Sequence, residues 1–182
     1  AHLNIMKKAV FLFYGFDLVA VGEADLDFPA HLEQYHIEAG KPFILTCKAP
    51  SDLDSLQLPA RDLIDLNSYC ANLTVGEGLS TTVHASRGCP FACAYCVREL
   101  GDKARLYRVR SAASVVSELD ELHSKYGIKR FVFTDDIFGL QKPWLRDFCE
   151  LMGQRNYIWR CNIRANTLYY DCLPLMYGAG CR

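Results

Sequence analysis

Thr82-Val83-His84-Ala85-Ser86-Arg87-Gly88-Cys89-Pro90-Phe91-Ala92-Cys93-Ala94-Tyr95-Cys96 runs from a β-branched, partly apolar stretch straight into three cysteines. The first five residues read as a strand, and Gly88 and Pro90 place the cysteines on the loop that leaves it. Downstream, the pattern repeats. A helix is predicted over 112–126, with Val115, Leu119, Leu122 and Tyr126 on one face and Gly127 closing it. Lys129 to Thr134 reads as the next strand and delivers Asp135 and Asp136 at its end. A second helix starts near Pro143, turns Leu145, Phe148 and Met152 inward and stops near Gly153. Tyr157 to Ile163 reads as a third strand, after which Asp171 caps a short helix through Tyr177. Successive β-then-α units predict an α/β fold with a parallel sheet and right-handed crossovers.

Upstream, Asp17 to Val21 is a short apolar run ending in Gly22-Glu23, as a buried parallel strand ends at a loop. A helix follows, with Asp27 as N-cap, Pro29 in its first turn and Gly40 near its stop. Phe43 to Thr46 reads as another strand. From 49 to 80 the sequence lacks sustained periodicity, and Pro50, Pro59, Gly76 and Gly78 mark a linker. The expected organisation is therefore an N-terminal α/β portion at 1–48, a linker at 49–80 and a second α/β portion at 81–182.

Composition narrows the function classes. With 20 basic and 21 acidic residues the net charge is −1, so no global field favours nucleic acid or an anionic membrane. The apolar run Ala9–Phe13 is far shorter than the roughly 20 residues that span a bilayer. No leader is legible at the N-terminus, and the reading is cytoplasmic. Nine cysteines, an odd number at irregular spacing, argue against a disulfide framework. Cys47, Cys70, Cys149, Cys161, Cys172 and Cys181 read as small buried hydrophobes.

Cys89, Cys93 and Cys96 need a joint explanation. Three thiolates at C-x3-C-x2-C spacing suit one centre of soft-ligand character: zinc, copper(I) or an iron–sulfur cluster. A structural zinc site wants four protein ligands, and His84, on the strand, is a poor fourth. Bacterial ferredoxins order their spacings differently and use four cysteines. Three ligands on a four-iron cluster leave one iron open to a substrate or cofactor.

The segment Ser86–Cys96, with Tyr95 as the aromatic before the last cysteine, resembles the radical S-adenosylmethionine enzyme superfamily. The resemblance implies a [4Fe-4S] cluster on Cys89, Cys93 and Cys96, with Tyr95 packed near the adenine of S-adenosylmethionine. It implies reductive cleavage of that cofactor to a 5′-deoxyadenosyl radical, with electrons from a flavodoxin- or ferredoxin-like donor and a small-molecule substrate. Asp135 and Asp136 stand where the family carries a Gly-Gly-Glu-like motif for the methionine amino group, and Thr134-Asp135-Asp136 departs from it. Arg164, after the third strand, would pair with the methionine carboxylate through its planar fork. Asn162 and Asn166 flank it. Arg108 and Arg110 read as solvated surface, as does His123.

Val19 to Glu23 and the helix after it resemble the end of a Rossmann-like cobalamin-binding domain, and Leu58 to Asp65 resembles the linker of the cobalamin-dependent branch. That branch implies cobalamin as a further cofactor and methylation or rearrangement of an unactivated carbon. The methylthiotransferase branch and a non-catalytic zinc or iron–sulfur module remain the alternatives. About three of six βα units of a radical barrel are counted, preceded by a remnant of the cobalamin domain. The expectation is thus an excerpt of a longer protein.

Overall fold

In the computed structural model, the described residues are 16–34, 43–69, 78–94, 96, 107–167 and 169–182. They divide into two compact units. One comprises residues 1–52 and 91–105, the other 53–90 and 106–182.

In the first unit, β1 (Leu18–Val21) and β2 (Phe43–Thr46) pair in parallel, Val19 opposite Ile44, with helix α1 (Asp27–Gln34) between them in sequence. This is one β-α-β step, and Val19 is its buried apolar anchor. Asp27 lies inside the helix rather than capping it, and its Oδ2 accepts the Lys48 backbone N–H at 2.6 Å. The expected continuation to Gly40 falls outside the described residues.

The second unit is built on a three-stranded parallel sheet in the order β3 (Ser80–Val83), β6 (Arg130–Phe133), β7 (Ile158–Cys161). Thr82 sits opposite Val132, and Val132 opposite Arg160. Its crossovers are α2 (Ala112–Tyr126) and α3 (Lys142–Gly153). The Ser111 side chain accepts the Ser114 N–H at the start of α2, supplying one of the acceptors that a helix N-terminus lacks. Gly127 ends α2 in the left-handed conformation, φ 70°. A short helix, α4 (Leu173–Gly178), follows β7, and Cys181 then forms a parallel bridge beside Trp159. Gly180 makes that approach possible, because a Cβ there would strike the Tyr157 carbonyl oxygen.

Phe131, Phe133, Phe138, Phe148 and Trp159 are fully buried between sheet and helices. Phe148 touches the rings of Phe133, Phe138, Trp144 and Trp159 at centroid separations of 5.3 to 5.5 Å, mostly edge-to-face. Asp171 does not cap α4. It lies in a 3-10 turn, Tyr170–Cys172, and pairs with Lys142 and Arg146 at 2.7 and 3.0 Å.

Residues 53–69, read as linker, are tied to the second unit one residue at a time. Leu53 and Leu66 are buried, and 3-10 turns occupy Arg61–Leu63 and Leu66–Tyr69. Asp54 accepts the Ser111 N–H at 3.0 Å, which with the other Ser111 and Ser114 hydrogen bonds holds its carboxyl below the usual range against the opposing effect of burial. No helix among the described residues is long and apolar enough to cross a membrane.

Candidate functional site: the cysteine loop and its supports

After β3 the chain makes a second, two-residue strand, β4 (Ser86–Arg87), which pairs antiparallel with β5 (Arg108–Val109). Ser86 sits opposite Val109, Arg87 opposite Arg108, and the Arg110 N–H bonds the Ala85 carbonyl at 2.8 Å. The chain between Gly88 and Tyr107 thus leaves and returns through one ladder, and all three clustered cysteines lie in its outgoing part. Cys89 and Cys93 are half-buried and Cys96 is exposed. The Cys96 N–H bonds the Cys93 carbonyl at 3.1 Å. Cys89 belongs to the second unit, Cys93 and Cys96 to the first. Among the described residues, no three His, Cys, Asp or Glu side chains are gathered into a metal-holding group. Tyr95 lies outside the described residues.

The donor set itself suits an iron–sulfur cluster. The three side chains are thiols, at least partly accessible, within eight residues of one another in sequence. His84, the only candidate fourth ligand in sequence, is exposed at the end of β3, with Nε2 3.2 Å from Thr134 Oγ1. It is already engaged with the neighbouring strand end.

The two aspartates after β6 part company. Asp136 is exposed. Asp135 is 2% exposed and its carboxylate faces inward. Oδ1 accepts the backbone N–H of Ala85 at 3.1 Å, the N–H of Ser86, and the Ser86 hydroxyl at 2.5 Å. Burial pushes the Asp135 carboxyl up, against the lowering effect of these hydrogen bonds. The cofactor contact expected of Asp135 thus meets a carboxylate already engaged by its own chain. Tyr107, at the returning end of the loop, hydrogen-bonds the Ser86 side chain and the Leu140 backbone, and burial raises its phenol.

Arg164 is half-buried after β7, its Nε donating to Asn166 Oδ1 at 2.6 Å. Asn162 and Asn166 are exposed, and the Asn162 carbonyl accepts the Phe138 N–H at 2.9 Å. That bond joins the end of β7 to the Asp135–Phe138 turn. Asp135, Asp136 and Arg164 all lie just after parallel strands, where open α/β sheets present their ligand-binding loops.

Two supports were missed in the sequence. Glu118 is 4% exposed on α2 and receives Arg61 Nη2 at 3.2 Å and Arg110 Nη1 at 2.5 Å. Arg61 also reaches Thr81 Oγ1 and the Thr82 carbonyl, while Arg110 reaches the His84 carbonyl. Arg110, read as solvated, therefore ties the returning end of the loop to α2 and β3. A signal was present: Glu118 falls between Val115 and Leu122 on the apolar face, where a lone carboxylate needs a cation. His123 is half-buried rather than solvated, its ring 5.5 Å from that of Tyr157.

A cleft of about 380 Å³ opens between residues 58–62 and the second half of α2, lined by Leu58, Pro59, Arg61, Leu122 and Tyr126 among others. None of the sequence-predicted site residues lines it.

No family model matches the sequence. An uncharacterized methyltransferase of Pyrococcus horikoshii is 34% identical over 132 residues, 71% of this chain and 28% of that protein. The anaerobic magnesium-protoporphyrin IX monomethyl ester cyclase of Cereibacter sphaeroides is 29% identical over 141 residues, 72% of this chain and 22% of that protein. Among solved structures, the radical S-adenosylmethionine methyltransferase TsrM of Kitasatospora setae, with cobalamin and a [4Fe-4S] cluster bound, superposes with a TM-score of 0.50. That match is 23% identical and covers 58% of this chain and 20% of TsrM. In sequence the chain is similar to proteins named as a methyltransferase and as a magnesium-protoporphyrin cyclase. Its mixed α/β fold with parallel sheets is similar to that of TsrM. It spans less than a third of the length of the curated relatives it matches.

Proposed function

We propose that this chain is part of a radical S-adenosylmethionine enzyme of the cobalamin-dependent kind, one that methylates or rearranges a small molecule. The observation that carries the reading is the C-x3-C-x2-C set of accessible thiols on a loop leaving a parallel strand. Cys89, Cys93 and Cys96 would hold a [4Fe-4S] cluster, leaving one iron without a protein ligand. The chemistry supplied there is one-electron reductive cleavage of S-adenosylmethionine, the source of a 5′-deoxyadenosyl radical. Asp136, exposed at the end of β6, offers a carboxylate to the methionine amino group, and Arg164 a fork for the methionine carboxylate. Tyr95 would flank the adenine.

In this reading residues 81–182 are the first half of a radical barrel, with three βα units of about six. Residues 1–48 are the end of a Rossmann-like cobalamin-binding domain, and 49–80 join the two. A flavodoxin- or ferredoxin-like protein would supply electrons, in the cytoplasm. Relatives named as methyltransferases and the fold shared with TsrM favour the cobalamin branch over the methylthiotransferases.

Anaerobic reconstitution with iron and sulfide, followed by metal and sulfide analysis, tests the proposal. The expected result is about four irons and four sulfides per chain, lost in a Cys89→Ala, Cys93→Ala, Cys96→Ala variant. Fewer than about three irons, with zinc tightly held instead, would favour a zinc module and sink the reading.

A further inference from the structure

We infer that Asp135 is a positioning residue for the cysteine loop, a buried carboxylate that fastens the outgoing end of that loop. The inference rests on the cluster reading above and deepens it.

The two aspartates are adjacent in sequence but do different work. Asp136 points to solvent, whereas Asp135 is 2% exposed and, among the described residues, has no Lys or Arg ion-pair partner. A carboxylate in that setting costs stability unless several donors converge on it. Here the donors come from two consecutive residues, Ala85 and Ser86, about fifty positions upstream. Two successive amides directed at one oxygen fix the backbone direction at the exit of β3. Cys89 follows three residues later, at most about 10 Å of extended chain away. The Ser86 hydroxyl is also bonded by Tyr107, the residue that brings the loop back to β5. The outgoing strand and the end of β6 therefore meet at one carboxylate, and the returning strand joins them through the Ser86 side chain. Among the described residues its hydrogen-bond donors are all neutral, so shifting Asp135 would loosen the outgoing end of the loop. Asparagine keeps the shape but presents an NH2 group in place of one acceptor oxygen.

Two measurements on the full chain separate this inference from the cluster reading. The first needs no metal: amide hydrogen exchange across residues 84–90 in the metal-free protein. Asp135→Asn should speed exchange at Ala85 and Ser86 by about tenfold or more, with α2 and α3 unchanged. Asp171→Asn, an exposed carboxylate of the same unit, should leave that segment untouched. The second is loss of iron to a chelator after anaerobic reconstitution, followed with the electron paramagnetic resonance signal of the reduced protein. Asp135→Asn should lose iron about 10- to 100-fold faster than wild type and broaden the signal, as for other groups that orient metal ligands.

Should Asp135→Asn fail to fold by circular dichroism, Ser86→Ala decides, because it removes only the hydroxyl donor and leaves both amides. It should speed both exchange and iron loss in the same direction. Unchanged exchange at 84–90 in the folded variant overturns the inference, as does unchanged iron retention beside a Cys89→Ala control that loses it. A wild-type protein that takes up no iron sinks the cluster reading alone, and the exchange result then decides whether Asp135 holds the loop.

Discussion

Among the described residues two groups of cysteines occupy opposite settings, while Cys161 and Cys181, expected to be buried, are half-buried. Cys89, Cys93 and Cys96 lie on a loop, partly or fully open to solvent, while Cys149 and Cys172 are 1% exposed beneath the helices of the second unit. The chemistry of a thiol follows its surroundings: the thiolate is the nucleophile and metal ligand, and burial among apolar groups suppresses it. Burial, with smaller contributions from Cys181 and Cys172, pushes the Cys149 thiol up to about 12. Cys149 is thus a core side chain that happens to carry sulfur, and it sits beside Phe148 in the most densely aromatic part of the fold.

The sharpest way to break this comparison is alkylation of the folded, metal-free chain at pH 8, followed by peptide mass spectrometry. At that pH Cys149 is buried and held almost wholly as the thiol, so the more accessible loop cysteines should be labelled long before it. Equal labelling would mean that the two settings do not differ. Next in size, Phe148→Ala should cost about 3–5 kcal/mol in chemical denaturation, since it empties a site lined by four aromatic rings. Replacing all three loop cysteines by alanine should leave the denaturation midpoint nearly where it was.

Glu118→Ala is expected to cost about 3 kcal/mol, because it strands two largely buried guanidiniums, Arg61 and Arg110. As Arg110 grips the returning end of the loop, the same variant should also raise loop exchange, whereas Phe148→Ala acts on the core. The smallest effect is expected at Asp120. The Arg155 hydrogen bond, then those from Tyr157 and nearby charge, holds its carboxyl below the usual range in spite of some burial. A carboxyl lowered by folding stabilises above its unfolded pKa and loses that contribution as pH falls through the folded value. Asp120→Asn should therefore lower the melting temperature at pH 7, and the deficit should shrink as pH falls below the ordinary carboxylate range, about 4. A deficit that persists at low pH would assign the effect to packing.

Local pattern was the legible part of the fold. The strand Phe43–Thr46 and the helix Ala112–Tyr126 with its Gly127 stop emerge at their expected bounds, because apolar periodicity and a left-handed glycine act within a few residues. The parallel sheet followed from β-then-α succession. Contacts joining distant segments were not legible. Asp135 reads like any aspartate after a strand until Ala85 and Ser86 are brought to it, and Glu118, whose place on the apolar face calls for a cation, does not reveal that Arg61 arrives from 57 positions away. The β4–β5 ladder is two residues long, too short for any period. Residues 53–69 show no periodicity because individual side chains, not a repeating face, fasten them. At the candidate site, spacing alone singled out the three thiols, whereas nothing in the sequence separated Asp135 from Asp136.

The chain has two tryptophans, Trp144 and Trp159, and both lie in the aromatic cluster of the second unit. Trp144 Nε1 donates to the Arg110 carbonyl at 2.6 Å and Trp159 Nε1 to the Ala179 carbonyl at 2.8 Å. Intrinsic fluorescence is therefore a private signal of that unit: the unit containing β1, β2, Cys93 and Cys96 can melt without changing the indole emission, and a fluorescence transition and a far-ultraviolet dichroism transition that fail to coincide would measure how independently the two units unfold.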